Sequence, residues 1–447
     1  MMGDEGSGSR RGAGETVLRR EGGAVKVHRR GRTAWRFESE AGLTPCCVKI
    51  ETSKNGERRV VAGGRVLHRG ECVLRERSIA AAVAKDDGSL CAFCFTALQA
   101  SKTTAVECED CPTRYCSEEC RKQDAADHDC AAATLLATLE DDETSSSIDV
   151  AVLRLVLRIW ERKQLAWWCD HYEALRRDAS RGDAAAEEVL KTAFMSTAIL
   201  KEVLPEDADS ERLMRAFLRV RFNAYPFANG KGLALFDQAA SINHSCRPNV
   251  ALGLAPDGRG HVLLEARFLG SSSVGSGIEL TTSYLGYRAL LAPTARRRDA
   301  LNVAFRFTCA CPRCQDHDHD HTVVDDLDAL SETLLSKTTA IAKDKDGDLA
   351  GAIAKFDAVL EALPDLGAAT YAGRSDLRIL AAHAIGQSFA ASPRRRSPDV
   401  LRATLEQASR AADDAEFALG ERHPRSQYAR DLAARITRLL DHHHHRV

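Results

Sequence analysis

The stretch IDVAVLRLVLRIW at 148–160 places apolar residues on most of its circumference, as a helix buried on nearly every side does. Residues 131–220 keep a helical period around it, so a run of helices is predicted there. Upstream the period changes. In SKNGERRVVAGGRVLHRGECVLRERSI at 53–79, β-forming residues alternate around Gly-Glu turns, which predicts short strands. Downstream, Leu349, Ile353, Phe356, Leu360 and Leu363 step by three and four, a helix that Pro364 stops, and further helices fit 375–389, 398–419 and 425–440.

The chain of 447 residues exceeds one ordinary core, so roughly two to four domains are expected. Its net charge of −2 implies no strong field for nucleic acid, and no apolar run approaches the roughly 20 residues that span a bilayer. The N-terminus lacks the apolar centre of a signal peptide. Residues 1–44 are read as a flexible arm, rich in Gly, Arg and Ser through the first 35.

The fifteen cysteines change this picture most. Nothing indicates secretion, and clustered cysteines in a reducing compartment point to metal rather than disulfides. Cys46, Cys47, Cys72 and Cys169 lie apart and are read as ordinary thiols. The first cluster runs CAFC, CEDC, YCSEEC and HDC, and offers Cys91, Cys94, Cys108, Cys111, Cys116, Cys120, His128 and Cys130. Eight soft ligands suffice for two tetrahedral zinc ions. A module of about forty residues buries little core, so ligation must supply its stability. Cys116 and Cys120 are four apart and on a helix would share a face, whereas His128 and Cys130 are two apart and would not, so the helix must end near His128. The second cluster, CACPRC at 309–314, supplies Cys309, Cys311 and Cys314, one thiolate short of a closed site.

The heptapeptide NHSCRPN at 243–249 sets four polar or reactive groups in a row after the apolar ALFDQAASI. Burying them unpaired is costly, so the stretch reads as the rim of a site. Its Cys246 is the candidate for the missing fourth ligand.

These motifs carry a resemblance. The first cluster resembles the MYND zinc finger. NHSCRPN, ELTTSYLG at 279–286 and FRFTCACPRC at 305–314 resemble a SET domain with its cysteine-rich post-SET tail. Together, in this order, they resemble the SET and MYND domain-containing (SMYD-like) protein lysine methyltransferase family over roughly residues 45 to 440. The resemblance implies an α+β multidomain chain: a β-rich SET fold split by a MYND finger and a helical insert, a zinc-bound post-SET and an α-helical, tetratricopeptide-like C-terminal domain. The expected units are 45–90 for the first SET part, 91–130 for the finger, 131–222 for the insert, 223–288 for the SET core, 289–324 for the post-SET and linker, and 325–447 for the C-terminal helices. LGERHPRS at 419–426 resembles a segment common in that last domain.

The resemblance also assigns residues. In its interleaved pattern Cys91, Cys94, Cys116 and Cys120 hold one zinc, and Cys108, Cys111, His128 and Cys130 a second, with Cys130 the weakest member because the family spaces its last two ligands more widely. S-adenosylmethionine is the implied cofactor. Asn55, Gly56, Asn223, Asn243, His244 and Tyr284 would contact it, Phe307 would stack on its adenine, and Tyr284 would be the catalytic residue. Phe305 would line the lysine channel where many relatives carry tyrosine, and Lys54 replaces a glycine of the cofactor loop. The expected activity is methyl transfer to a protein lysine. The alternative is a SET/MYND interaction scaffold with a weakened site, which Lys54 and Phe305 favour. Further expectations are a protein lysine substrate, a proline-rich peptide partner at the finger, no nucleic acid or membrane partner, a monomer, and a nuclear or cytoplasmic location. The alternating DHDHDHT at 316–322, with His317, His319 and His321, reads as a solvated linker.

Overall fold

The computed structural model describes residues 18–21, 24–29, 32–39, 42–45, 48–53, 57–64, 66–85, 88–98, 105–141, 149–160, 168, 170–270, 275–315, 356–358, 360–361, 366–391 and 398–444. Lys54, Asn55, Gly56, Cys46, Cys47, Cys169, the histidines at 317, 319 and 321, and Leu349, Ile353, Leu363 and Pro364 lie outside them.

Within the segment read as an arm, strands Leu18–Glu21 (β1), Ala24–Arg29 (β2), Arg32–Ser39 (β3) and Gly42–Pro45 (β4) form an antiparallel meander in chain order. Val48–Thr52 (β5) and Arg58–Ala62 (β6) make a hairpin, followed by Glu71–Arg77 (β7) and Ala80–Val83 (β8). These last two find their partners far along the chain. β8 pairs with Gly232–Leu235 (β12), which pairs with Tyr225–Phe227 (β11). β7 pairs with Val262–Phe268 (β15), itself paired with Val250–Pro256 (β14). The faces that meet bury Val60, Leu74, Phe95, Phe236, Val250, Leu264 and Phe268 in one core. That core needs both halves, since each sheet alone would leave an apolar face in water.

The interruption holds two modules. The first is small: strands Val106–Glu107 (β9) and Arg114–Tyr115 (β10), then helix Glu118–Asp124 (α1). The second is the predicted run of helices: Cys130–Asp141 (α2), Val150–Ile159 (α3), Tyr172–Ala179 (α4), Ala184–Lys201 (α5) and Ser210–Asn223 (α6). Aspartates start three of them. Asp149 accepts the Val152 N–H, Asp183 those of Ala185 and Ala186, and Asp209 that of Arg212, satisfying donors a helix start leaves free. The all-round apolar pattern of α3 is explained by its place. Leu153, Leu155, Val156 and Ile159 are fully buried in a core shared with Phe217 of α6 and Leu235 of β12.

Strands Asn243–His244 (β13) and Thr281–Thr282 (β16) pair in parallel, so the heptapeptide lies beside the later motif. Helices Tyr287–Leu291 (α7), Thr294–Phe305 (α8) and Pro312–Gln315 (α9) follow. The chain closes with Ala368–Ala391 (α10), Pro398–Leu419 (α11) and Pro424–His444 (α12), against predicted spans of 375–389, 398–419 and 425–440. Proline opens α11 and α12, where a missing N–H costs nothing. Phe356 and Leu360, from the predicted heptad-like helix, are buried with Ala381 of α10. The C-terminal helices dock closely on the strands. A Cβ at Gly253 of β14 would come within 2.1 Å of the Leu419 carbonyl oxygen, and one at Gly367 within 2.1 Å of that of Pro248. Among the described residues no helix is long and apolar enough to cross a membrane.

Candidate functional site

Three groups of four ligands form, and in each all ligand atoms lie within 4.8 Å of one another: Cys91, Cys94, Cys116 and Cys120; Cys108, Cys111, His128 and Cys130; and Cys246, Cys309, Cys311 and Cys314. Tetrahedral zinc with bonds of about 2.3 Å sets sulfurs about 3.8 Å apart. The observed Sγ separations, 3.5 Å for Cys94 to Cys116 and for Cys116 to Cys120, and 3.6 Å for Cys108 to Cys130, match that spacing. Hydrogen bonding from Cys91 draws the Cys94 thiol down to about 4 against its burial, and the same bond pushes Cys91 far up, so in the absence of metal one proton is shared between the pair. The residues fit three zinc ions.

The short spacing of His128 and Cys130 is accommodated by a helix break. α1 ends at Asp124, and Cys130 is the first residue of α2. His128 sits in the turn between, with Nε2 3.2 Å from Cys111 Sγ and 3.4 Å from Cys130 Sγ. Asp129, the one residue separating them, caps α2 through the Ala132 N–H at 3.0 Å.

In the third group Cys246 Sγ is 3.5 Å from Cys314 and 4.0 Å from Cys309. Hydrogen bonds from neighbouring thiols push Cys246 far up and Cys311 far down, with Cys314 at about 6. Four thiolates on one zinc carry a net negative charge. The fully buried Arg297 answers it, with Nη2 3.6 Å from Cys314 Sγ.

The rest of the heptapeptide surrounds this staple. Asn243 donates its side-chain amide to the Arg58 carbonyl at 3.1 Å and to Glu279 Oε1 at 2.9 Å, so its N–H groups are committed within the protein. Asn249 donates to the Glu279 carbonyl at 2.9 Å and accepts the Thr281 N–H at 2.8 Å, knotting the two motifs. The His244 Nδ1 accepts the Tyr284 N–H at 3.0 Å, and Nε2 lies 3.3 Å from Cys246 Sγ. An accepting Nδ1 requires the proton on Nε2, which then donates to sulfur. Burial lowers this imidazole to about 4, so it is neutral at pH 7.

Tyr284 donates its hydroxyl to the Ile242 carbonyl at 2.9 Å, and burial followed by the charge of Glu279 raises its phenol to about 12. It is therefore an orienting group, not a base, near neutral pH. Its ring lies 4.9 Å from Phe305 and 6.2 Å from Phe307, and Phe307 lies 6.0 Å from His244. Tyr284 and Phe305 line a cleft of about 380 Å³ with Phe222, Asn223, Tyr225 and Leu419. Asn223 holds the Arg219 carbonyl at 2.7 Å. The cleft is walled by the insert, the strands and the C-terminal helices together, with Ala368 and Ala372 of α10 on its lining.

Sequence reasoning missed several supports. Glu76 is 2% exposed and accepts three backbone N–H groups, from Asp237 at 2.6 Å, Gln238 at 3.0 Å and Ala239 at 2.9 Å. It holds the turn that leads into Asn243. Asn249 closes the heptapeptide, where nothing local marks its bonds to the later motif. Glu279 opens the ELTTSYLG motif but its partner Asn243 lies 36 residues back, and Arg297 reaches the third ligand group through Cys314, 17 residues on, so neither role is marked locally.

No family model matches the chain. N-lysine methyltransferase SMYD2 of Sus scrofa is 27% identical over 259 residues, 53% of this chain and 53% of its own. The Mus musculus N-lysine methyltransferase SMYD2 is 27% identical over 307 residues, 65% of this chain and 64% of the relative. Histone-lysine N-methyltransferase SMYD3 of Mus musculus is 26% identical over 278 residues, 60% of each. The chain thus spans about half the length of the first of these curated relatives, and the resemblance read from the motifs is met by them. Among solved structures, the SET domain of LSMT bound to lysine and AdoHcy aligns over 88% of this chain and 87% of that one, at 13% identity and a TM-score of 0.29, a likeness that carries no argument.

Proposed function

We propose that the chain is an S-adenosylmethionine-dependent protein-lysine N-methyltransferase, acting on a histone or a non-histone protein. The observation that carries this reading is the convergence of Tyr284, Phe305 and Asn223 on one apolar-walled cleft, with Asn243, His244 and Phe307 at the same junction. The relatives named as N-lysine and histone-lysine methyltransferases support it. In this reading the first two ligand groups are a MYND finger, the third is a post-SET site, and α10 to α12 form a tetratricopeptide-like domain. A proline-rich peptide at the finger and a monomeric state belong to the same proposal.

When bound, S-adenosylmethionine supplies an activated methyl on a positive sulfonium. Asn243, His244, Asn223 and Phe307 are the described residues that would hold it. The rest of the chemistry falls to the protein. A free lysine amine has a pKa of about 10.4, and freeing its lone pair near pH 7 costs roughly 4–5 kcal/mol. Leu252, Leu254, Phe305 and Leu419 on the cleft walls disfavour the charged ammonium by excluding water. Tyr284, its O–H engaged by the Ile242 carbonyl, keeps its oxygen lone pairs for the incoming amine, which positions it.

The rival reading is an interaction scaffold with a weakened site, motivated by Phe305 in place of a hydroxyl-bearing ring. Calorimetric titration of the full chain with S-adenosylmethionine separates the two. Saturable binding together with methyl incorporation into lysine peptides is expected. No binding at millimolar cofactor would leave the scaffold.

A further inference from the structure

Arg306 separates Phe305 from Phe307, and its own side chain points elsewhere. Its φ of 60° is left-handed, a conformation arginine keeps only where its surroundings hold it. It closes α8, giving its N–H to the Asn302 carbonyl at 3.0 Å. The side chain is 5% exposed, and Nη2 pairs with Asp183 and, at 3.7 Å, with Asp178. Among the described residues, Nε and Nη1 find no hydrogen-bond partner and are buried. The salt bridges of this buried guanidinium are therefore to the helical insert, since Asp178 lies in α4 and Asp183 caps α5. The guanidinium in turn draws the Asp183 carboxyl below the usual carboxylate range.

Each end of this link adjoins an element that reaches the cleft. Phe305 lines it from the side of α8, and Phe222 and Asn223 line it from the insert. His171, which precedes α4, packs its ring 4.8 Å from Phe222. Between the end of α8 and the zinc ligand Cys309 lie only Arg306, Phe307 and Thr308. The ion pair anchors that stretch at its first residue, where it leaves the helix.

We infer that Arg306 is a positioning residue, a clamp that fastens the segment carrying Phe305 and Phe307 to the α4–α5 turn and thereby sets the cleft width and the placement of both rings. Its consequence for cofactor binding rests on the methyltransferase reading; its existence does not. Leaving a buried charge with weakened partners loosens whatever the pair holds.

The test uses the full zinc-loaded chain with Asp178→Asn and Asp183→Asn combined. Asparagine caps a helix as well as aspartate, so the Ala185 and Ala186 N–H groups keep an acceptor while the charges go. Backbone amide exchange in residues 305–309 is expected to accelerate by about tenfold, with three zincs retained and S-adenosylmethionine affinity lowered by about fivefold, the scale of one partly buried ion pair. Arg306→Ala should match it, and Arg306→Lys should recover part of the protection. Unchanged exchange at 305–309 in both the double variant and Arg306→Ala would overturn the clamp. If the wild-type chain takes up no S-adenosylmethionine, the exchange comparison still decides the clamp, and only the functional reading falls.

Discussion

His244 ties Cys246 to Tyr284: its Nε2 stands 3.3 Å from the cysteine sulfur while its Nδ1 accepts the tyrosine N–H at 3.0 Å. Two residues that the sequence separates by 38 positions are joined through one imidazole, and a ligand of the third metal group is thereby linked to the cleft.

Cys246→Ser should therefore do more than remove a ligand. The tail bearing Phe305 and Phe307 is expected to come loose, one zinc of three to be lost, and methyl transfer to disappear. Elemental analysis after gel filtration should still find the two zincs of the first two ligand groups. A full zinc complement with wild-type activity would show that staple and site are independent.

Tyr284→Phe should fail differently. It deletes the hydroxyl bonded to the Ile242 carbonyl and leaves every metal ligand in place. All zincs and most cofactor affinity are expected to survive, with transfer slowed roughly 10²-fold or more. Single-turnover methylation, alongside cofactor titration, reads the split.

The wild-type chain is expected to hold three zinc ions, and His128→Ala two. His128 bridges Cys111 and Cys130 in the turn between α1 and α2, so its loss should open only that site. Zinc measured against protein concentration checks both values. Two ions in the wild type would mean that the short spacing to Cys130 has cost a site.

Glu76 predicts a pH dependence. Burial raises it from 4.5 to about 7, outweighing the three N–H bonds that favour its charge. The folded state therefore holds an extra proton between about pH 4.5 and about 7. Stability from this group is greatest below that window and falls as pH rises through it, by about 3 kcal/mol. Glu76→Gln cannot titrate, and its amide nitrogen opposes one backbone donor. Urea denaturation across the window should show the advantage of wild type over the variant shrinking as pH rises. A constant difference would mean that Glu76 is ionised throughout.

Much of the site was legible in the chain because short-range chemistry writes itself into spacing. C-x-x-C pairs put two thiolates on one turn, and the eight ligands of the first two groups lie within one local stretch. The helical insert was legible for a similar reason: α3 needed only its own apolar circumference to be read. The spacing of His128 and Cys130 called for a helix end near His128; α1 ends four residues earlier, at Asp124, and begins after Cys116, so only Cys120 of that pair is helical.

The strand partners were not legible. β7 and β8 look like any alternating hairpin until they are paired with β15, about 190 residues on, and β12, about 150 residues on, because pairing is chosen by buried area summed over a whole sheet. The supports of the site share that origin. Glu76, Arg297, Glu279 and Arg306 are ordinary charged residues in the sequence, and each acquires its task only when folding removes water around it and leaves a partner of matching chemistry. The sequence by itself determined which side chains can bind metal and which segments are helices, since both follow from neighbours a few residues apart. Tertiary structure alone decided that Cys246 meets Cys309, that Phe305 faces Tyr284, and that Arg306 pairs with Asp178 and Asp183 of the insert, because those contacts depend on how distant apolar faces bury one another.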